Sequence, residues 1–96
     1  MEATRFIVYG RVQGVGFRFF VEREARRLAL KGWVRNRHDG SVECMAIGPP
    51  ETLDQLHHRL RQGPPAARVE QVNREPLSLS PSALREYRSF SIEGDA

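Results

Sequence analysis

The chain has 96 residues, a formal net charge of +3 and one cysteine, Cys44. This length corresponds to one domain, residues 1–96. The composition excludes an intrachain disulfide and any stretch near the roughly 20 apolar residues of a membrane span. Acidic and basic residues are intermixed, which indicates a solvated surface and not a nucleic-acid-binding tail. The N-terminus lacks an apolar signal segment, so we expect a cytoplasmic protein without membrane or nucleic-acid partners. Nothing in the sequence requires more than a monomer.

Apolar patterning predicts five strands and two main helices. The first strand spans 5–12, the first helix spans 19–31 with Gly32 as its left-handed cap, and the next two strands span 33–38 and 41–47 around an Asp39-Gly40 turn. The second helix begins within 48–51 and ends at 63–65, and a bulged strand covers 68–74. A polar surface loop with one helical turn at 82–86 covers 76–87, and a last strand covers 88–93.

The resulting order β-α-β-β-α-β, with an extra segment at the end, predicts an α+β fold of the ferredoxin-like type. We expect an antiparallel sheet with two helices on one face. The first two strands run the same way, because a right-handed helical crossover connects them. Their C-terminal ends therefore lie at one edge of the sheet, where Asn36 can face the turn formed by residues 13–18.

The glycine-containing turn between the first strand and the first helix is a candidate anion site. Gly14 and Gly16 allow a tight turn whose amide groups converge, the helix N-terminus adds positive dipole, and Arg18 adds a planar fork of donors. Phe19 stands where a dinucleotide-binding motif needs a third glycine, and no P-loop lysine follows. The turn thus suits one phosphate-sized anion. The alternative is a structural turn followed by a solvated arginine.

Asn36 is the second candidate, because a polar amide is unusual in the middle of a strand. A neutral amide both donates and accepts hydrogen bonds, so it can aim a water but cannot take its proton. The alternative is a structural contact at the hairpin turn. His38 is a weaker candidate for proton transfer, and Cys44 is most simply a small core residue. No group of residues has the spacing of a metal site.

Residues 10–18, Gly-Arg-Val-Gln-Gly-Val-Gly-Phe-Arg, resemble the first signature of the acylphosphatase family, and residues 32–43 resemble its second. The spacing between them and the closing 89–92 also match, although Ala29 stands where the family often has glycine. The resemblance implies metal-free and cofactor-free hydrolysis of acyl phosphates to a carboxylate and inorganic phosphate. It implies that Arg18 and Asn36 are catalytic. The phosphate-binding residues it implies are Gln13, Gly14, Val15, Gly16, Phe17 and Arg18.

Two alternatives remain at this point. One is a non-catalytic ferredoxin-like module that binds an anion or RNA, and RNA binding would need exposed aromatic residues on the central strands. Phe6 and Tyr9 lie on the first strand, but the third strand has none. A regulatory domain is the other alternative, because acylphosphatase-like domains also occur in larger proteins that handle carbamoyl phosphate. The short tail after Ile92 favours a free-standing enzyme. The physiological acyl phosphate does not follow from the sequence.

Overall fold

The computed structural model describes residues 1–94, so the last two residues of the predicted domain lie outside the described part. Its elements in chain order are β1 (Glu2–Arg11), α1 (Phe17–Arg27), β2 (Lys31–Asn36), β3 (Val42–Gly48), α2 (Pro50–Gln62), β4 (Arg68–Leu77), α3 (Pro81–Glu86) and β5 (Phe90–Ile92). All predicted strands and helices are present, with bounds that shift by a few residues. The polar segment that was predicted to be a loop is shorter, because β4 continues to Leu77.

One five-stranded sheet has the order β4-β1-β3-β2-β5. The first four strands in this order are antiparallel neighbours, which confirms the ferredoxin-like arrangement. The extra strand β5 pairs with β2 in parallel, so the otherwise antiparallel sheet is mixed at this edge. β1 and β2 both run antiparallel to β3, so their C-terminal ends lie at the same edge, as predicted.

The two long helices pack on one face of the sheet. Residues of alternating strand positions, such as Phe6, Val8 and Val34, meet the apolar stripes of both helices in a single core. The opposite face holds a smaller apolar cluster around Met45 and Ile47, which residues of the segment 79–87 partly cover. This segment was predicted to be a surface loop. The structure shows instead that its leucines and Tyr87 pack against the second face of the sheet.

The first helix ends earlier than predicted. The amide of Leu30 donates to the carbonyl oxygen of Ala25 at 2.9 Å, and the amide of Ala29 donates to that of Arg26 at 3.0 Å, which is a Schellman ending. Ala29 has a φ of 58°, so it occupies the left-handed position that was assigned to Gly32. The helix therefore stops at Arg27, and the chain continues into β2 from Lys31.

Gly10 and Gly32 lie where the backbone of a neighbouring strand leaves no room for a Cβ, which at Gly10 would collide with the carbonyl oxygen of Arg68. Gly32 lies inside β2, where an added Cβ would collide with the carbonyl oxygen of Met45. In β1, Tyr9 lies opposite Gln71 and Gly10 lies opposite Val69, so β4 has one extra residue. This confirms the bulge predicted in β4. The bulge lies at the end of β1, immediately before the turn that leads into α1.

Each of two buried carboxylates is paired with two arginines. Glu43 accepts hydrogen bonds from Arg5 at 2.6 Å and from Arg35 at 2.7 Å on the second face of the sheet, away from the two long helices. Glu24 accepts from Arg27 and Arg59, both at 3.0 Å. Burial is the largest single effect on both carboxyls and raises the pKa, but the arginine hydrogen bonds and charges together outweigh it and lower the pKa.

Candidate active site

The turn from Val12 to Gly16 connects the end of β1 to the start of α1. Gly14 has a φ of 74° and Gly16 has a φ of 78°, both in the left-handed region that favours glycine. An added Cβ would meet no atom within 4 Å at either glycine. The backbone conformation therefore requires these glycines, and packing space does not. In a turn that combines left-handed and right-handed helical residues, as Gly16 and Phe17 do, successive amides can make an anion-binding concavity.

The N-terminus of α1 opens directly from this turn. The amide of Phe20 donates to the carbonyl oxygen of Gly16 at 3.0 Å and makes the first bond of the helix. The three preceding amides, of residues 17–19, have no acceptor within the helix itself. Gly16 has no side chain to cap them, and the first turn contains no acidic residue. The positive end of the helix dipole is thus presented toward the turn.

Gln13 links the turn to the β2–β3 hairpin. Its Nε2 donates to the carbonyl oxygens of Arg37, at 2.8 Å, and Ser41, at 2.9 Å. The hairpin itself is held by Asp39, whose Oδ1 accepts from both the hydroxyl and the amide of Ser41, and these bonds lower the pKa of Asp39. The anchoring role of the Gln13 side chain did not follow from the sequence, which indicated only its backbone.

Arg18 is the second residue of α1 and is half-buried. Its Nη1 donates to the carbonyl oxygen of Glu93, just after β5, at 3.3 Å. The segment that follows β5 therefore helps to orient the guanidinium. This contact could not be predicted from the sequence, because the two residues lie 75 positions apart.

Asn36 is the last residue of β2. It alternates with Gly32 and Val34, and Val34 belongs to the core between the sheet and the helices. The Asn36 side chain therefore lies on the helix side of the sheet, which is also the side of the β1–α1 turn. The alternative prediction was that Asn36 makes a structural contact at the hairpin turn. The side chains of Gln13 and Asp39 make hydrogen bonds at that turn.

A single pocket of about 150 Å³ brings these groups together. Its lining residues are Val12, Gly14, Gly16, Phe17, Arg18, Phe19, Asn36 and Ile92. Among the predicted site residues, Gln13 and Val15 do not line the pocket, because the side chain of Gln13 bonds to the hairpin and Val15 packs against the core. Phe19 and Ile92 also line the pocket, which was not predicted from the sequence. The pocket can hold a phosphoryl group and is smaller than the sites of larger ligands.

The other candidates lie elsewhere. His38 is exposed and does not line the pocket. Cys44 is fully buried, and burial raises the pKa of its thiol, which leaves it unreactive. Within residues 1–94, no cluster of three or more His, Cys, Asp or Glu side chains has the arrangement of a metal site. Phe6 is completely buried, with its ring centroid 5.5 Å from that of His57, so it cannot stack on an RNA base.

A family model for acylphosphatase matches residues 4–92. The chain belongs to the acylphosphatase family. Acylphosphatase from Pasteurella multocida (strain Pm70) is 51% identical over 92 residues, which cover 96% of this chain and 98% of that protein. The crystal structure of acylphosphatase from Bacillus subtilis matches with a TM-score of 0.88 and 41% identity, covering 97% of this chain and 99% of that one. This degree of similarity to acylphosphatases identifies the chain as an enzyme that hydrolyses acyl phosphates.

The same fold also occurs as part of a larger protein. Full-length HypF, in its phosphate- and nucleotide-bound form, matches 98% of this acylphosphatase chain with a TM-score of 0.80 and 28% identity. The match covers 12% of the HypF chain. The acylphosphatase from Bacillus subtilis, in contrast, is matched over almost its whole length.

Proposed function

We propose that acyl phosphates are hydrolysed in the pocket between the β1–α1 turn and the end of β2. The amides of Gln13, Gly14, Val15, Gly16, Phe17 and Arg18 form the phosphate cradle. Arg18 holds the phosphoryl oxygens, and Asn36 places the attacking water. The observation that supports this assignment is that one small pocket is lined by Arg18, by Asn36 and by both left-handed glycines.

The cradle and Arg18 supply what phosphoryl transfer needs most, which is positioning and charge stabilisation. Amide donors that are already fixed in the turn need no rearrangement when charge develops on the phosphoryl oxygens. The guanidinium adds a planar pair of donors that matches two of these oxygens, an arrangement that an ammonium group cannot provide. Its contact with the Glu93 carbonyl restricts the directions in which the fork points.

The attacking water is oriented by Asn36 and gives its proton to the substrate. The water oxygen forms a new bond to phosphorus while the bond from phosphorus to the carboxylate oxygen breaks. A phosphoryl oxygen accepts the proton, because an amide side chain has no basic site for it. The products are a carboxylate and dihydrogen phosphate. Since a carboxylate is a stable leaving group, no strong general acid is required.

The proposed site works without a metal or another cofactor, because the amides and Arg18 provide the positive charge. We also infer that residues 1–96 form one domain that acts as a monomer in the cytoplasm on a small-molecule substrate. All proposed site residues come from one copy of the chain. Within residues 1–94, no helix is long and apolar enough to span a membrane. Sedimentation at the mass of a dimer would contradict the monomer.

Replacement of Arg18 tests the proposal. We expect Arg18→Ala to lower the turnover of benzoyl phosphate by about 10²–10³-fold, the scale of losing one preorganised donor. Arg18→Lys should be nearly as poor, because a point charge does not replace the fork. Arg23→Ala is the matched control, since Arg23 is exposed on the same helix and does not line the pocket. A chelator such as EDTA should leave wild-type turnover unchanged.

Near-normal turnover of Arg18→Ala would refute the assignment of the site. Near-normal turnover of Arg18→Lys alone would refute only the two-pronged contact and leave the position of the site intact.

A further inference from the structure

One large apolar side chain is exposed beside the proposed site. Phe19 is 72% exposed, and the only other large hydrophobic residue with comparable exposure within residues 1–94 is the terminal Met1. The neighbouring aromatic residues of α1, Phe17 and Phe20, are buried in the core. Phe19 therefore does not contribute to the core. It follows Arg18 directly in the sequence and lines the same pocket.

An isolated exposed phenylalanine is too small to form a protein-docking patch. Its position beside the pocket gives it a different possible partner, which is the substrate itself. The proposed site holds the phosphoryl end of an acyl phosphate through Arg18 and the cradle. The acyl end extends outward from the pocket and must contact whatever lies along its margin.

The direction in which the acyl group extends follows from the geometry of the reaction. The attacking water and the leaving carboxylate lie on opposite sides of the phosphorus atom. Asn36 lies on the side of the pocket that the strands form, so the water attacks from that side. The carboxylate therefore departs toward the side that α1 forms. Phe19 lies on that side, and Ile92 adds a second apolar side chain to the lining.

We propose that Phe19 is a specificity-determining residue, which forms an apolar platform for the acyl group and favours aromatic and longer aliphatic acyl phosphates over acetyl and carbamoyl phosphate. This inference rests on the proposed function of the pocket. The platform contacts the acyl group both before and during the reaction. It therefore stabilises bound substrate and transition state alike, and its effect belongs in KM and not in kcat.

The test compares KM and kcat for benzoyl, butyryl, acetyl and carbamoyl phosphate in the wild type and in Phe19→Ser. Each substrate serves as its own reference, so differences in leaving ability cancel in the ratio of variant to wild type. We expect Phe19→Ser to raise KM for benzoyl phosphate by about three- to tenfold, with kcat within about twofold. KM and kcat for acetyl and carbamoyl phosphate should change by less than about twofold, and so should the inhibition constant of inorganic phosphate.

Two further variants make the test specific. Phe19→Leu keeps an apolar side chain and should retain most of the preference for longer acyl groups. Arg23→Ser replaces another exposed residue of α1 outside the pocket and should alter none of the ratios. Equal changes for benzoyl and acetyl phosphate in Phe19→Ser, or no change for either, would overturn the inference. The proposed function would survive that result as long as Arg18→Ala lowers the turnover of all four substrates by about 10²–10³-fold.

Discussion

At the level of single residues, Arg18 and Asn36 divide the proposed chemistry between charge and orientation. Arg18 is half-buried and bonded to the Glu93 carbonyl, so its guanidinium is partly restrained before substrate arrives. Asn36 is neutral and stands at the end of β2 on the same side of the sheet. A restrained cation suits the binding of a phosphoryl group, and a neutral amide suits the orientation of a water.

Replacement of Asn36 should therefore separate binding from hydrolysis. In Asn36→Ala we expect inorganic phosphate to inhibit within about threefold of the wild-type constant, while kcat falls by about 10²-fold because the water loses its orientation. Steady-state kinetics with phosphate as a competitive inhibitor give both values. Asn36→Asp is a useful companion, since it keeps the shape and adds a negative charge near the phosphate. Equal loss of phosphate binding and turnover in Asn36→Ala would make Asn36 a structural residue.

Sequence reasoning could propose these two residues because each stands in a short, distinctive stretch of sequence. Glycines at positions 14 and 16 predict a tight turn, and in the structure both adopt the left-handed conformation. Phe19 and Ile92 were missed as lining residues for different reasons. Ile92 reaches the pocket only through the pairing of β5 with β2, which no short window of sequence contains. The exposure of Phe19 depends on which face of α1 is buried, and the aromatic neighbours Phe17 and Phe20 made that face difficult to predict from the sequence.

At the level of secondary structure, the end of α1 shows how a local rule can be misplaced. Gly32 was predicted to be the helix cap, since glycine is the usual residue at a left-handed position. The hydrogen bonds place this position at Ala29, three residues earlier, and Gly32 is needed where β2 passes close to Met45. Positions 29 and 32 both have a backbone conformation that favours glycine, and the chain has glycine only at position 32.

Ala29→Gly should therefore stabilise the protein. A left-handed alanine costs about 1–2 kcal/mol, part of which is offset because glycine makes the unfolded chain more flexible. We expect the free energy of unfolding to rise by about 0.5–1 kcal/mol in urea titrations, with unchanged turnover. Ala66→Gly is the matched control, since Ala66 is exposed in a turn and has no positive φ, so this variant should be slightly destabilised. A loss of stability in Ala29→Gly would contradict the strain assigned to Ala29.

The pairing of β5 with β2 is the other feature of the secondary structure that the apolar pattern of the sequence did not predict. A strand over 88–93 was predicted, and β5 does form within it. Its parallel alignment beside β2 follows from the path of the segment 79–87 across the second face of the sheet. That path depends on apolar contacts with Met45 and Ile47, and alternation along β3 cannot show which outside segment covers these residues.

For the molecule as a whole, the buried ionisable groups make stability depend on pH. The side chain of His57 extends from α2 toward Phe6 of the sheet. Burial lowers the pKa of His57, Arg61 and Arg74 lower it further, and Asp54 raises it. Arg74 can only donate, so Nδ1 of His57 accepts at 3.3 Å and the ring proton lies on Nε2, a buried nitrogen without an acceptor among the described residues. The folded state therefore binds a proton at His57 less readily than the unfolded state does.

This difference predicts a loss of stability as the pH falls below about 6.5, where the unfolded histidine begins to take up a proton. The loss continues until the pH reaches the lower pKa of the folded state. We expect the melting temperature of the wild type to decrease between pH 7.5 and 5.5, and His57→Gln to reduce that decrease. His58→Gln, at an exposed neighbouring position, should behave like the wild type. An unchanged pH dependence in His57→Gln would show that another group is responsible.

Titration of the protein with inorganic phosphate in a ¹H–¹⁵N correlation experiment shows whether the β1–α1 turn and Arg18 form the phosphate site. Phosphate should produce its largest shifts at the backbone amides of residues 13–18 and at the Nε–H of Arg18, and these shifts should disappear in Arg18→Ala. A second pocket, whose lining residues are Asp54, His57, His58, Arg61 and Arg74, provides the internal comparison. Large shifts at that pocket, with the amides of the turn unchanged, would rule out the proposed phosphate site.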